Sequence, residues 1–281
     1  MKTSVIVATH NRPDSIRRLI ASLAPELTTG TREIIIAENG TPSPMELALE
    51  GAPLKHLHET RAGKCRIQNR AITEASGEIL VFLDDDLAVA PGYLAAAEDF
   101  FDTHREFAAM KGRILAGEDP DKKVGLMAVY LDLPIADHGE EVIEVRGVLG
   151  ANMAFRASAI KQVGPFDERL GPGACGHEEE TEMSQRLRRA GFRIGYAPRA
   201  LVYHEVDGTR ATRERFIRIS RERGRCRMLH EKHSAADVIL KNAIAQVRLR
   251  IAQLTGAGLP RIAREERRLA VARGMFDGLG G

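Results

Sequence analysis

The run Ile79-Leu80-Val81-Phe82-Leu83 is followed at once by Asp84-Asp85-Asp86, so three carboxylates stand directly behind five apolar residues. An unbroken stretch of branched and aromatic side chains suits a strand buried on both faces of a sheet. Like charges this close repel, and they persist where water spreads them or where a hard divalent cation takes their oxygens as ligands. In open α/β sheets ligands sit just beyond the carboxyl ends of strands, which is where this triplet falls. A solvated acidic turn is the competing explanation. A second acidic run, His177-Glu178-Glu179-Glu180-Thr181-Glu182, precedes Arg186-Leu187-Arg188-Arg189-Ala190-Gly191. Acids there stabilise a helix amino terminus.

The elements that must position these residues alternate between strand and helix. Ser4 to Ala8 reads as a short buried strand, and Asp14 is placed to cap a helix through about Leu23, with Ile16, Leu19, Ile20 and Leu23 at helical spacing. Glu33 to Ala37 reads as a second strand ending at Glu38-Asn39-Gly40, with Pro42 and Pro44 marking the next turn. Leu54 to Leu57 reads as a third strand, Gly63 to Ala75 as a helix, and Pro91 as the opening of a helix through about Phe101. This βαβ rhythm predicts a mainly parallel twisted sheet with helices on both faces. No Gly-rich dinucleotide fingerprint and no P-loop follows the first strand. A bound phosphate would therefore need other partners: a divalent cation on the Asp triplet, helped by Arg12, Arg61 or Lys64.

With 281 residues, 43% apolar and 28% charged, the composition is that of an ordinary globular chain. Cys65, Cys175 and Cys226 are widely spaced, which argues for a reducing compartment and against a disulfide framework or a structural zinc site. No apolar run approaches the length of a membrane span, and the first residues are too short for a signal peptide, so the expected location is cytoplasmic. The net charge of +2 conceals an asymmetry, with 17 Lys+Arg against 7 Asp+Glu in residues 209–281 and 24 against 32 before them. Such a basic extension can face an anionic membrane, a phosphorylated acceptor, nucleic acid or the acidic body of a partner subunit, or it can be the solvated side of packed helices.

Several motifs occur in order: Ser4-Val5-Ile6-Val7-Ala8-Thr9-His10-Asn11-Arg12, Glu38-Asn39-Gly40-Thr41, Asn69-Arg70-Ala71 and Phe82-Leu83-Asp84-Asp85-Asp86. They continue with Gly150-Ala151-Asn152-Met153-Ala154-Phe155-Arg156, Gly164-Pro165-Phe166-Asp167-Glu168, Glu179-Glu180-Thr181-Glu182 and Tyr203-His204. Together they resemble the family 2 glycosyltransferases, which have the Rossmann-like A-type glycosyltransferase fold. The resemblance covers about residues 3 to 204 and implies a catalytic domain over 1–208 followed by a basic helical extension over 209–281.

It implies a nucleoside-diphosphate sugar as donor, with Thr9, His10, Asn11, Arg12 and Glu38 around base and ribose. Glu38 stands where the family usually has Asp. Lys64, Asn69, Asp84, Asp85 and Asn152 join the donor site, Asn152 at the sugar pocket. Asp86 is the first choice for direct ligand to Mg²⁺ or Mn²⁺, with Asp84 and His204 beside it. Glu180 aligns with the general base of inverting members, and Glu179 is its reserve. The implied acceptor is a hydroxyl on a glycan, a lipid-linked molecule or a small molecule. The basic extension could then rest on the anionic inner face of a membrane; an oligomer is compatible, and nucleic acid is not the expected partner. Two other classes fit less well. A nucleotidyltransferase would want a glycine- and lysine-rich loop after the first strand, and a non-catalytic sugar-nucleotide binder would not need Glu180.

Overall fold

The computed structural model describes residues 2–29, 31–41 and 53–280, so the turn expected at Pro42 and Pro44 lies outside the described residues. The chain divides into two compact units. The first comprises Met1–Gly117, Pro134–Glu168 and Glu179–Glu205, and the second Glu118–Leu133, Arg169–Glu178 and Val206–Gly281. The expected boundary after residue 208 thus falls close to Val206, but two earlier segments also belong to the second unit.

The first unit is built on one sheet of the strands β1 (Thr3–Thr9), β2 (Arg32–Asn39), β3 (Leu54–Glu59), β4 (Ile79–Asp84), β5 (Leu87–Val89), β6 (Phe107–Ala116), β7 (Ile143–Val145), β8 (Asn152–Arg156) and β9 (Arg193–His204). Their spatial order is β3-β2-β1-β4-β8-β6-β9-β5, with β7 on β9. β1, β2, β3 and β4 are parallel. β8 then runs antiparallel to both β4 and β6, and β9 is parallel to β6. The sheet is therefore parallel in its first half and mixed beyond β4. That reversal places β8 against the strand carrying the Asp triplet, with Leu83 opposite Asn152.

Successive residues of a strand point to opposite faces, and the core follows that rule. Val5, Val7, Val81 and Leu83 pack on one face with α1 (Pro13–Leu23) and α3 (Tyr93–Thr103). Ile6, Leu80, Phe82, Met153 and Phe155 pack on the other with α2 (Lys64–Glu74), α5 (Ala157–Val163) and α6 (Glu179–Arg189). Phe82 meets Phe155 and Phe166 edge to face, at centroid distances of 5.7 and 5.5 Å, the arrangement the ring quadrupole favours. Asp14 does not cap α1: Arg12 occupies the capping position without a side-chain cap, and Asp14 pairs with Arg17 at 2.7 Å. Proline at the first helical position makes a side-chain cap less needed, because its missing N–H removes one orphan donor.

The second unit contains the short α4 (Pro120–Val124) and the long α7 (Arg213–His230), α8 (Ala235–Leu254) and α9 (Leu259–Asp277). α7 and α9 approach closely through paired notches. A side chain at Gly224 would strike the Val271 carbonyl, and one at Gly274 the Arg221 carbonyl. Tyr130, Phe216 and Ala263 form a small core there, and Ala245 of α8 packs with Leu269 and Ala272 of α9. Most of the arginines expected to face an outside anion are neutralised within the unit. Arg213 pairs with Glu266, Arg221 with Asp277, Arg223 and Arg267 with Asp132, and Arg248 and Arg268 with Glu265.

The cysteine reading needs correction. Cys175 and Cys226 form a disulfide, 51 positions apart, while Cys65 is free and buried. Their spacing carries no local signal because the bond joins a loop to α7, whose folding brings the two Cα atoms to 5.6 Å. The loop that carries Cys175, Gly171-Pro172-Gly173-Ala174-Cys175-Gly176, is further closed by hydrogen bonds from the Gly171 amide to the His177 carbonyl and from the Gly176 amide to the Gly171 carbonyl. Among the described residues no helix is long and apolar enough to cross a membrane.

At the amino edge of the sheet the buried Glu33 accepts hydrogen bonds from the Ser4 and Ser76 hydroxyls and the Ser76 amide, and pairs with Lys55 at 3.1 Å. Burial raises its pKa, but those donors outweigh burial and hold it at about 2. A depressed carboxylate stabilises the fold above its unfolded pKa near 4.5 and loses that contribution as pH falls towards 2. Glu33→Gln should therefore lower the melting temperature at pH 7, and the gap to the parent should shrink as thermal unfolding is followed from pH 5 to pH 2.5.

Candidate active site

The Asp triplet follows from the end of β4, and each carboxylate has a different partner. Asp84 accepts from the Lys64 ammonium at 2.7 Å. Asp85 accepts from the Thr9 hydroxyl at 2.7 Å and the Arg12 guanidinium at 2.9 Å. Asp86 takes Arg12 at 3.1 Å and faces His204 Nε2 at 3.3 Å. Register explains the convergence: Ala8 of β1 lies opposite Asp84, so the loop after β1 emerges beside the triplet. Asn11 takes a φ of +53°, which asparagine tolerates, where the chain turns towards α1. β9 delivers His204, and the Glu205 amide bonds the Asp86 carbonyl at 3.0 Å.

His204 is informative. Its Nδ1 lies 2.8 Å from the Glu205 carbonyl, which can only accept, so that nitrogen carries a proton. In a neutral ring Nε2 is then a lone pair aimed at a carboxylate oxygen. Two acceptors facing each other at 3.3 Å call for a proton or a metal ion between them. No group of three or more His, Cys, Asp or Glu side chains among the described residues is arranged to hold a metal. The donor set nevertheless suits Mg²⁺ or Mn²⁺ on a diphosphate, which typically takes one or two protein ligands and fills its remaining positions from phosphate and water. Asp86 and His204 are the pair that fits. Asp84 is turned to Lys64.

Lys64 joins this cluster to the second acidic run. Besides Asp84 it meets Glu179 at 3.6 Å. Burial alone would depress its pKa, but Asp84, Glu179 and Glu180 outweigh burial and raise it. Asp84 is likewise held below the ordinary carboxylate range: burial works against this, and Lys64, then His204 and Arg12, overcome it. Glu180 lies next along α6, half-buried, and its carboxyl carbon and the Lys64 nitrogen stand 3.8 and 3.9 Å from the point where a side chain at Gly150 would begin. The bare backbone at Gly150 leaves that space open. Lys111 on β6 was not foreseen; burial lowers its pKa, and the charge of Glu180 opposes that.

The register of the acidic run follows from its partners. Glu178, at a φ of +77°, is buried and pairs with Arg227 at 3.1 Å and His230 at 3.7 Å within the second unit. Glu179 is 5% exposed and tied to Lys64. Of Glu178, Glu179 and Glu180, only Glu180 is left partly accessible, and Glu182 further along is paired with Arg186.

Four residues expected at the donor site have partners within the protein. Asn152 is fully buried; its amide donates to the Arg113 and Ala200 carbonyls and accepts from the Tyr93 hydroxyl. Asn69 bonds the backbone of Phe166 with both ends of its amide, each at 2.9 Å. Glu38 is fully buried and bonds His56 at 3.0 Å. His10 is exposed and donates from Nδ1 to the Asn39 carbonyl at 2.5 Å. Asn69 and Asn152 thus hold the frame of the site, a role a single sequence does not distinguish from ligand contact.

Residues 4–164, more than half the chain, match the family model described as glycosyl transferase family 2. This chain belongs to that family. A pre-mycofactocin glycosyltransferase of Mycobacterium tuberculosis is 29% identical over 214 residues, which is 72% of this chain and 42% of that protein. A glucosyl-dolichyl phosphate glucuronosyltransferase of Haloferax volcanii is 22% identical over 219 residues, covering 73% of this chain and 70% of that one. The chain therefore spans less than half the length of the mycobacterial relative. In fold it is similar to a mannosyltransferase from Pyrobaculum calidifontis solved with GDP-Man and Mn²⁺, at a TM-score of 0.66 and 15% identity, over 99% of this chain and 87% of that one. It is also similar to TarS 1-349 of S. aureus solved with UDP-GlcNAc, at a TM-score of 0.58 and 17% identity, over 99% and 92% of the two chains.

Removing one partner of a buried ion pair strands the other charge and typically costs about 3–5 kcal/mol. Lys64→Met should lower stability by that order at pH 8. The deficit should shrink by pH 5, because Asp84, which Lys64 keeps ionised in the parent, can then take up a proton, and the comparison needs only melting curves at the two pH values.

Proposed function

We propose that this chain transfers a sugar from a nucleoside-diphosphate sugar to a hydroxyl acceptor, by direct displacement with inversion. The observation that carries the proposal is the Lys64 bridge, which brings the carboxylates at the end of β4 and those at the start of α6 into one charged cluster. A displacement of this kind needs positive charge on the departing diphosphate and a base on the incoming hydroxyl, and the two must be neighbours.

Arg12 and the hydroxyl of Thr9 stand at the mouth of the first-strand loop, suited to orient the donor and its phosphates. Asp86 and His204 would hold a divalent cation, whose charge stabilises the negative charge growing on the leaving group. Glu180, on the first turn of α6, would accept the proton of the attacking hydroxyl. Glu179 is buried beneath Lys64, and Glu178 is bound to Arg227, so neither is as well placed. Asp84 keeps Lys64 oriented. Glu180 in turn adds to the negative charge that keeps Lys64 protonated. The neighbours solved with GDP-Man and with UDP-GlcNAc support a sugar nucleotide as donor, and those solved with Mn²⁺ support the cation.

Thermal unfolding with GDP-, UDP-, dTDP- and CDP-sugars, with and without Mn²⁺, should show one donor class raising the melting temperature in a metal-dependent way, the rise corresponding to about 2.7 kcal/mol of added stability at a hundredfold excess over Kd. Glu180→Gln should keep that shift and lose about 10²- to 10⁴-fold in turnover, the usual worth of a general base. Asp86→Ala should lose the metal-dependent part of the shift. Unchanged turnover in Glu180→Gln would remove the base assignment, and release of pyrophosphate in place of a nucleoside diphosphate would identify a different reaction.

A further inference from the structure

One side of α8 carries an apolar seam that the described residues leave exposed. Val238, Ala245 and Ala252, seven residues apart, are buried. Beside them Leu240, Ile244, Val247, Ile251 and Leu254 are between 48% and 86% exposed, Ile244 at the edge of a groove that Val271 and Met275 of α9 also line. Their intervals of four, three, four and three residues are the heptad spacing of a helix meant to meet another helix. Isoleucine fills both a positions, 244 and 251, and Leu240, Val247 and Leu254 fill the d positions. β-branched a residues with leucine at d favour two parallel strands, and two of the three d positions here are leucine.

From Leu240 to Leu254 the seam runs about 21 Å at 1.5 Å per residue. That is short for an isolated coiled coil. Here, however, α8 is already folded against α9, so pairing would incur no helix-nucleation cost.

The charges beside the seam say which partner fits. The flanking e positions are Lys241, Arg248 and Thr255, and the g positions are Ala236, Ala243 and Arg250. In a parallel pair each g residue faces the next e residue of the other strand, giving Ala236 with Lys241, Ala243 with Arg248 and Arg250 with Thr255. No two cations meet. An antiparallel pair would bring Lys241 of one copy towards Arg248 of the other. Both flanking e cations are also neutralised within their own chain, Lys241 by Asp237 at 2.8 Å and Arg248 by Glu265 at 3.1 Å. A second copy supplies the same seam, self-complementary about a twofold axis.

We propose that the chain forms a parallel homodimer through the α8 seam, independently of the catalytic assignment. Ile244 and Ile251 would pack against their own counterparts at the axis, as would Leu240, Val247 and Leu254.

Sedimentation equilibrium across the micromolar range should show a species of twice the 30.9 kDa chain mass. The exposed-site variants Ile244→Lys and Ile251→Lys should raise the dissociation constant by about 100-fold or more, with circular dichroism at low temperature unchanged. Mild oxidation should cross-link Val247→Cys to its own copy and leave Gln246→Cys, at an outward c position, no more cross-linked than the parent. Three results would overturn the proposal: a monomer at every concentration, a dimer that survives both lysine substitutions, or a monomer in solution whose binding to phosphatidylglycerol vesicles is lost in the lysine variants. The last would assign the seam to a lipid surface.

Discussion

One ammonium group ties together the two acidic clusters of the first unit. Lys64 is at the first position of α2, where the helix dipole disfavours a cation and no acid of the helix's own first turn compensates. Its compensation comes from outside the helix, from Asp84 on β4 and Glu179 on α6. Each of the three charges would be costly alone in a buried setting, and together they justify one another. The arrangement fixes the relative placement of a strand end and two helix starts.

The same logic resolves the repulsion within Asp84-Asp85-Asp86. A strand alternates its side chains, and the bend after β4 separates them further, so the three carboxylates do not share one environment. Asp84 turns to Lys64, Asp85 to Thr9 and Arg12, and Asp86 to Arg12 and His204. The middle acid is the most enclosed in polar contacts from the first-strand loop, and the last faces the imidazole. Division of labour among adjacent identical residues is thus set by which neighbour each can reach.

Much of this was legible in the chain. The apolar runs at Val5–Val7, Ile34–Ile36 and Ile79–Leu83 dictate buried strands, and the acids at Glu179 and Glu180 lie at the start of α6 where a helix dipole favours them. What escaped was long-range. Strand β6, Phe-Ala-Ala-Met-Lys-Gly-Arg-Ile-Leu-Ala, is poor in β-branched residues until its end, so its place beside β8, and the position of Lys111 on it, depend on tertiary pairing. The disulfide between Cys175 and Cys226 is equally invisible to spacing. Asn69 and Asn152 have the polar side chains of ligand-binding residues, and only their partners reveal that backbone groups consume them.

The turn at residues 163–166 links these themes. Asn69 of α2 grips Phe166 by amide and carbonyl, while Arg186 of α6 spreads its guanidinium over the carbonyls of Val163, Gly164 and Pro165. Two helices whose first residues carry Lys64 and Glu179 are thereby braced against one short piece of backbone. Surface turns ordinarily absorb added or missing residues with little consequence. This one has given up that freedom: lengthening it by even a single residue would act as a lever, prising the ammonium from its carboxylates at the far ends of both helices.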